Sequence, residues 1–486
     1  MLLDADQCYR ALRAHDSRFD GRFFVGVATT RIYCRPVCTA RTPNRDHCRF
    51  FPSAAAAEAR GFRPCLRCRP ELAPGYAAVD ANRRLARAGA GLIEDGRLTD
   101  ARLPDLAASL GVTDRHLRRV FQQEFGVAPV EYAQTQRLLL AKRLLTDTDL
   151  AVLEVAMASG FASLRRFNDL FRTRYRMSPA QLRRKTPVRD PGDRLAFDLG
   201  YRPPYDWDSM LAFLDRRAIA GVEAVEKRTY YRTVRIERTG PAPRRGDEAA
   251  GWISVAPSKR RSALHVTVSA SLASALPQVL GRVKHLFDLA CHPDEIAACL
   301  GALAEARPGL RLPGAIDGFE VAVRAILGQQ ITVKAAATLA ARFVDAFGDL
   351  LETGNAKLTR LFPRPAAIAA LDPGEIARIG IIAVRARAIV ALAAEVASGR
   401  IRLGPAAPVE ATVAALEQLP GVGPWTAQYI AMRALAWPDA FPHPDVAVLK
   451  AMGGAGKSAA LALAESWRPW RAYAVLHLWK SLEKST

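Results

Sequence analysis

Two close cysteine pairs, Cys34-Arg-Pro-Val-Cys38 and Cys65-Leu-Arg-Cys68, have the residue type and spacing of a tetrahedral metal site. Each pair delivers two thiolates from one turn, and the 26 residues between the pairs give the chain room to close around an ion. One zinc per chain is the expectation, since a reducing compartment disfavours the alternative of disulfides. A closed shell is compatible with a purely structural ion. Four thiolates around Zn²⁺ nevertheless leave a net charge of about −2. A ligand sulfur therefore stays electron-rich and can act as a nucleophile, with the zinc both structural and thiolate-activating. Arg31, Arg35, Arg63, Arg67 and Arg69 crowd these cysteines and suit a phosphate backbone.

A second constellation lies near the other end. In Leu-Pro-Gly-Val-Gly-Pro-Trp-Thr-Ala, residues 419–427, Gly421 and Gly423 permit a tight turn between helices. The exposed N–H groups of such a hairpin can hold a DNA phosphate. About twenty residues on, Phe-Pro-His-Pro-Asp ends at Asp445, a carboxylate at a loop-to-helix junction. There it would lie near the strand the hairpin grips and could support chemistry on a sugar. The plain alternative is that Asp445 caps a helix.

These residues need a scaffold, and the composition bounds it. A chain of 486 residues exceeds one ordinary core and implies about three domains. With 50% hydrophobic and 24% charged residues it is globular rather than disordered. Lys and Arg number 69 against 48 Asp and Glu, a formal net charge of +21 with an isoelectric point near 10.1. Both portions are basic, with 33 against 20 in residues 1–190 and 36 against 28 afterwards. An anionic polymer, double-stranded DNA, is the expected partner. No run of about 18 apolar residues occurs, the first residues carry Asp4, Asp6 and Arg10, and the terminal KSLEKST offers no cysteine for a lipid. A cytoplasmic, nucleoid-associated monomer without membrane contact is expected.

Between the constellations, residues 80–185 have helical period and contain a duplication offset by about 50 residues. Each copy has a short apolar helix, a glycine turn (Gly111, Gly160), a polar helix with adjacent arginines, an aromatic (Phe121, Phe171) and a proline (Pro129, Pro179). This is the pattern of paired helix-turn-helix units. Asp114, Arg115, Arg118 and Gln122 in the first, and Ser163, Arg165, Arg166 and Asn168 in the second, can reach base edges. Pro187, Pro191 and Gly192 mark a linker. RTYYRTVRIER, GWISVAP and SALHVTVSA then alternate as strands of an antiparallel sheet, and from about 312 the chain is helical.

The stretch RFFVGVATTRIYCRPVCTARTPNRDHCRFF with GFRPCLRCRPE resembles the N-terminal domain of Ada-type adaptive-response proteins over about 70 residues. That resemblance implies that Cys34 takes a methyl group irreversibly from a methylphosphotriester, while Cys38, Cys65 and Cys68 complete the zinc shell. The loss of one negative charge would raise affinity for DNA. The duplicated helices resemble an AraC-type regulator, which implies promoter DNA, and RNA polymerase as a candidate partner. Tyr-Arg-Pro-Pro-Tyr-Asp-Trp (201–207), Arg-Pro-Gly-Leu-Arg-Leu-Pro-Gly (307–314), Ala-Ile-Leu-Gly-Gln-Gln-Ile (325–331) and Arg-Ala-Tyr-Ala-Val-Leu-His-Leu-Trp (471–479) resemble 3-methyladenine DNA glycosylase II. Residues 199–482 carry this likeness, within the helix-hairpin-helix Gly/Pro-Asp superfamily.

It implies Asp445 as the catalytic carboxylate, Phe213, Trp425, Tyr429 and Trp479 as the pocket for an alkylated base, and Gln330 as the wedge filling the gap left by the flipped nucleotide. Gln330 stands where the familiar bacterial enzyme has Leu, and Val446 where it has Tyr. Trp425 occupies the position of the Schiff-base lysine of bifunctional relatives, so a monofunctional glycosylase is expected. No iron–sulfur cysteine pattern follows Asp445, and the Pro-Cys-His-Arg motif of an alkylguanine acceptor is absent.

The expected architecture is multidomain and mainly α. It comprises a small zinc α+β domain (1–78), an AraC-type double helix-turn-helix (80–186), a linker (187–198), a small antiparallel-sheet α+β domain (199–311) and an all-α helix-hairpin-helix domain (312–486). The competing reading is a transcription factor whose second half is a catalytically inactive DNA-binding module. A third has a purely structural zinc in a first half that recruits the enzyme to damage.

Overall fold

The computed structural model describes residues 4–16, 19–73, 81–94, 96, 98, 102–148, 150–184, 194–237, 248–259, 261–454 and 456–483. Around the cysteine pairs lies a four-stranded sheet of order β3-β1-β2-β4, with β1 Phe24–Val27, β2 Ile32–Cys34, β3 Cys48–Phe51 and β4 Arg63–Pro64. All pairings are antiparallel except β2 with β4. Residue 26 has to be glycine, because a Cβ there would meet the rings of Phe51 and Phe62 at 2.6 and 2.8 Å.

The duplicated segment forms two helix-turn-helix units, Leu103–Ser109 with Asp114–Phe125 and Val152–Ala158 with Leu164–Tyr175, joined by the long helix Pro129–Asp147. Gly111 (φ +68°) and Gly160 (φ +81°) supply the left-handed residue in each turn. Phe121 and Phe125 in the first, and Phe167, Phe171 and Tyr175 in the second, are fully or nearly fully buried. The cysteine-bearing domain docks on this unit through buried charge. Lys142 Nζ lies 2.7 Å from both oxygens of Glu71, and Arg69 pairs with Asp147.

A five-stranded antiparallel sheet follows, of order β5-β9-β8-β7-β6, with β5 Arg194–Gly200, β6 Glu223–Glu226, β7 Thr229–Glu237, β8 Glu248–Pro257 and β9 Ala263–Ser269. The three expected strands are present, and β5 and β6 are added to them. This corrects the expected linker of 187–198 and the domain start at 199. Residues 194–198 are not connecting chain but the first five of the seven residues of β5, which pairs from Arg194↔Ser269 to Gly200↔Ala263 with Leu195, Phe197 and Leu199 buried. The linker residues Pro187, Pro191 and Gly192 lie outside the described residues.

The remaining helices pack around Gly318–Leu327, nine of whose ten residues are buried, which identifies it as the central helix of its domain. Buried ion pairs tie it to the sheet, Arg232 of β7 to Glu320 at 2.7 Å and Arg324 to Glu223 of β6 at 2.8 Å, while Arg324 also pairs with Glu320 within the helix at 2.8 Å. Among the described residues, no helix is long and apolar enough to cross a membrane.

Candidate active site and DNA-binding surfaces

The Sγ atoms of Cys34, Cys38, Cys65 and Cys68 all lie within 4.8 Å of one another. With Zn–S bonds near 2.3 Å, tetrahedral geometry sets the sulfurs about 3.8 Å apart. A small closure would bring the four onto one ion, and the all-thiol donor set fits zinc. Cys38 and Cys65 are buried, while Cys34, at the end of β2, and Cys68 are half-buried. Cys68 Sγ accepts the Arg35 backbone N–H at 3.4 Å, a donor that draws charge from that sulfur. Hydrogen bonding from Cys38, Cys65 and Cys68, with burial, pushes the Cys34 thiol up when no cation sits among them. The Arg35 guanidinium turns inward to pair with the buried Asp20 and is not a surface contact.

In the helix-turn-helix units, Thr113 and Ser163 cap the second helices by accepting from His116 N and Arg166 N. The helices turn their phenylalanines inward and leave Arg115, Arg118, Arg165 and Arg166 exposed. Arg118 is partly engaged by Asp114 at 3.7 Å.

At the hairpin, Gly421 has φ +77° and an added Cβ would meet only ordinary contacts, so its requirement is conformational. Gly423 caps the helix Pro424–Arg433, is exposed, and has nothing within 4 Å of the place where a Cβ would stand. Gln330 is exposed with φ +56°, a left-handed conformation a glutamine adopts only when its surroundings impose it. Those surroundings are set by Gln329, whose Nε2 donates to Gly421 O at 2.8 Å and Thr426 Oγ1 at 2.9 Å, while Arg385 donates to its carbonyl. Gln329 thus ties the Gln330 turn to the hairpin, a role no local sequence signal carries.

Asp445 is half-buried and caps the helix Val446–Ala451, its Oδ1 accepting from Val448 N at 2.9 Å. Two indoles also reach it: Trp425 Nε1 donates to Oδ2 at 2.8 Å and Trp479 Nε1 to Oδ1 at 3.2 Å. Trp425 stacks on Tyr429 (5.2 Å, 15°), and Tyr429 lies 6.3 Å from Trp479. The structure therefore gathers Asp445, Trp425, Tyr429 and Trp479 at one place. The bidentate pair of Arg471 with the buried Asp439 anchors the helix that carries Trp479.

Phe213, the fourth aromatic expected of the pocket, lies against two guanidinium groups. It is buried, with the Arg217 guanidinium 3.8 Å and that of Arg433 5.0 Å from its ring centroid. Arg433 also donates to Tyr429 Oη at 3.0 Å and to the Pro313 and Gly314 carbonyls. Burial pushes the Tyr429 phenol up, but Arg433 and Arg217 outweigh it and hold the phenol at about 8. A cavity of about 1230 Å³ lies elsewhere, between the first helix-turn-helix unit, the β7 side of the sheet and the helical domain, and none of the candidate site residues lines it.

Four family profiles match successive parts of the chain: the metal binding domain of Ada over 7–71, a helix-turn-helix domain over 106–185, the AlkA N-terminal domain over 196–317, and the HhH-GPD superfamily of base excision DNA repair proteins over 323–461. A probable bifunctional transcriptional activator/DNA repair enzyme AlkA of Mycobacterium tuberculosis is 37% identical over 497 residues, covering 99% of this chain and 97% of the relative. The chain belongs to this family of bifunctional activator/repair enzymes. It joins a DNA-binding transcriptional regulator to a DNA repair glycosylase. Two further relatives each cover one part of this AlkA-type chain. DNA-3-methyladenine glycosylase 2 of Escherichia coli K12 is 37% identical over 283 residues, 58% of this chain and 96% of the relative. The activator/repair enzyme AdaA of Bacillus subtilis 168 is 29% identical over 187 residues, 38% and 85% respectively.

Proposed function

We propose that the glycosylase half hydrolyses the N-glycosidic bond of alkylated bases of the 3-methyladenine and 7-methylguanine type, without lyase chemistry, and that Asp445 is its catalytic carboxylate. The observation that carries this is one half-buried carboxylate held at a helix N-terminus between two tryptophans. An alkylated base is cationic and flips from the duplex at lower cost. Indole and phenol faces stabilise that cation, by about 0.5–2 kcal/mol per contact. The positive charge already weakens the glycosidic bond, so the base leaves with the bonding electrons and little acid assistance. Asp445 then stabilises the oxocarbenium-like sugar while water adds to it. Gly421 and Gly423 grip a phosphate, and Gln330 fills the gap left by the flipped base. No lysine stands at the Trp425 position to form a Schiff base.

In the regulator half, Cys34, Cys38, Cys65 and Cys68 would hold one zinc, whose charge keeps the thiols deprotonated at neutral pH. The Cys34 sulfur attacks the methyl carbon of a methylphosphotriester. An S–C bond forms as the C–O bond breaks, and the phosphodiester leaves as an anion. With less negative charge facing phosphate, promoter affinity rises. Arg115, Arg118, Arg165 and Arg166 read that promoter, RNA polymerase is the partner of the activated state, and the protein works as a monomer.

The test is incubation of the full chain with methylated duplex DNA, with chromatography of released bases and peptide mapping of the protein. Free alkylated base, and a methyl group on Cys34 alone, are expected. Intact duplex with undiminished promoter binding would favour the reading of a catalytically inactive module. A methyl group elsewhere, or none, would remove the sensor role.

A further inference from the structure

The two tryptophans beside Asp445 face their surroundings in a way that stacking on a base does not require. Trp425 gives one ring face to Tyr429, in direct offset contact at 5.2 Å and 15°. No base fits between those two rings. Its Nε1 proton, the one polar group of the side chain, goes to Asp445 Oδ2 at 2.8 Å, the length of a charge-assisted bond. Trp479 comes from the last helix, Arg471–Ser481, and gives its Nε1 proton to the other oxygen at 3.2 Å. The Val448 N–H supplies a third donor to that same oxygen. The carboxylate is thus gripped on both oxygens by elements from three places in the chain, and the two indoles reach it from outside its own helix.

We infer that Trp425 and Trp479 are positioning residues for the reaction, fixing the Asp445 carboxylate opposite the developing sugar cation in addition to walling the base pocket. Two physical consequences follow. A carboxylate clamped by indole donors has no freedom to swing away when the DNA is absent, so its alignment is set before substrate arrives. Each N–H···O⁻ bond also pushes electron density into the indole it comes from, which strengthens the ring's hold on a cationic base. Binding of the base and stabilisation of the sugar are coupled through the same two side chains. Trp425 replaced by Ala would therefore not leave the carboxylate as it was, and the substitution that isolates the role is Phe, which keeps a ring and loses the donor.

This inference rests on the reading of Asp445 as the catalytic carboxylate, and the experiment separates the two. Single-turnover base release and KM are measured for the full-length wild type, Trp425→Phe, Trp479→Phe, Asp445→Asn and the Trp425→Phe, Asp445→Asn double variant. One duplex carries a cationic alkylated base and another a neutral damaged base. Trp425→Phe is expected to slow the chemical step about ten-fold on both duplexes, with Trp479→Phe a smaller loss because its bond is longer and its oxygen shared. In the Asp445→Asn background Trp425→Phe should add no further loss of rate. A purely stacking tryptophan predicts the opposite split: unchanged single-turnover rates, with a raised KM confined to the cationic base. That result with an inactive Asp445→Asn overturns the inference alone. An Asp445→Asn variant as fast as wild type overturns the underlying reading and the inference with it.

Discussion

The cysteine cluster and the Asp445 site are built in opposite ways. The thiol cluster draws its four sulfurs from residues 34–68, in one small sheet domain, and each ligand brings its own chemistry. The Asp445 site has a single carboxylate at its middle. Its properties come from neighbours 20 and 34 residues away in sequence, from the Asp439–Arg471 anchor, and from the Gln329 tie to the hairpin. The first centre is local and stands or falls with its metal. The second is distributed, so single changes in its supports should degrade it by degrees.

The largest test of this contrast is removal of two ligands. A Cys65→Ser, Cys68→Ser variant should lose its full equivalent of zinc, and with it the fold of the cysteine domain, since structural zinc contributes on the order of 10 kcal/mol to such small domains. Base release, built on other elements, should stay near wild type. A full zinc equivalent in this variant would refute the ligand assignment.

Next in size is the dock that joins the cysteine domain to the helix-turn-helix pair. Burial pushes the Glu71 carboxyl up, but Lys142 and Arg69 outweigh it and hold it at about 2. A carboxyl depressed in the folded protein contributes stability that is fully present above its ordinary value near 4.5 and is lost as pH falls towards 2. Glu71→Gln strands the buried Lys142 ammonium and should cost about 3–5 kcal/mol at pH 7, read by denaturant unfolding of the regulator half. Loss below 1 kcal/mol would show that the pair does not hold the dock.

Glu58 shifts the other way. Burial pushes its carboxyl up to about 7, only partly offset by Tyr33, Thr135 and Arg174. Raised above its ordinary value, it subtracts stability as pH climbs from about 4.5 through about 7. Glu58→Gln keeps an acceptor for Tyr33 and should gain about 1–3 kcal/mol at pH 8 and nothing near pH 4. Equal effects at both pH values would contradict this. The smallest expected effect is that of Gln329→Ala, which frees the Gln330 turn from the hairpin. Affinity for abasic duplex should fall by about three- to ten-fold, the worth of one or two net hydrogen bonds, with the unfolding midpoint nearly unchanged.

Legibility in the sequence followed the same divide. The cysteine pairs, the glycine hairpin and the duplicated helices announce themselves, because short spacing or repetition encodes them. Asp445 was visible through its distance from the hairpin. The indole bonds to its carboxylate were not, since they join residues 20 and 34 positions apart and use atoms that read equally well as core. Phe213 illustrates the limit: the guanidiniums against its ring come from Arg217, just past the end of its helix, and from Arg433, far along the chain. Residues 194–198 of β5 read as linker because they follow a Pro, Gly and Arg-rich stretch, and only pairing with β9 about 70 residues later makes them part of a strand. Strand β6 is four residues with glutamates at both ends, too short to show alternation.

The central claim, that one negative charge at Asp445 drives base excision, is tested most directly by single-turnover base release from alkylated duplex with wild type and Asp445→Asn, together with their affinity for abasic DNA. Asn keeps the size and the capping oxygen for Val448 N, so folding and abasic binding should persist. The rate should fall by about 10²-fold or more, the usual effect of losing one preorganised electrostatic contact. Borohydride should trap no protein–DNA adduct with either protein. Equal rates for the two would contradict the account.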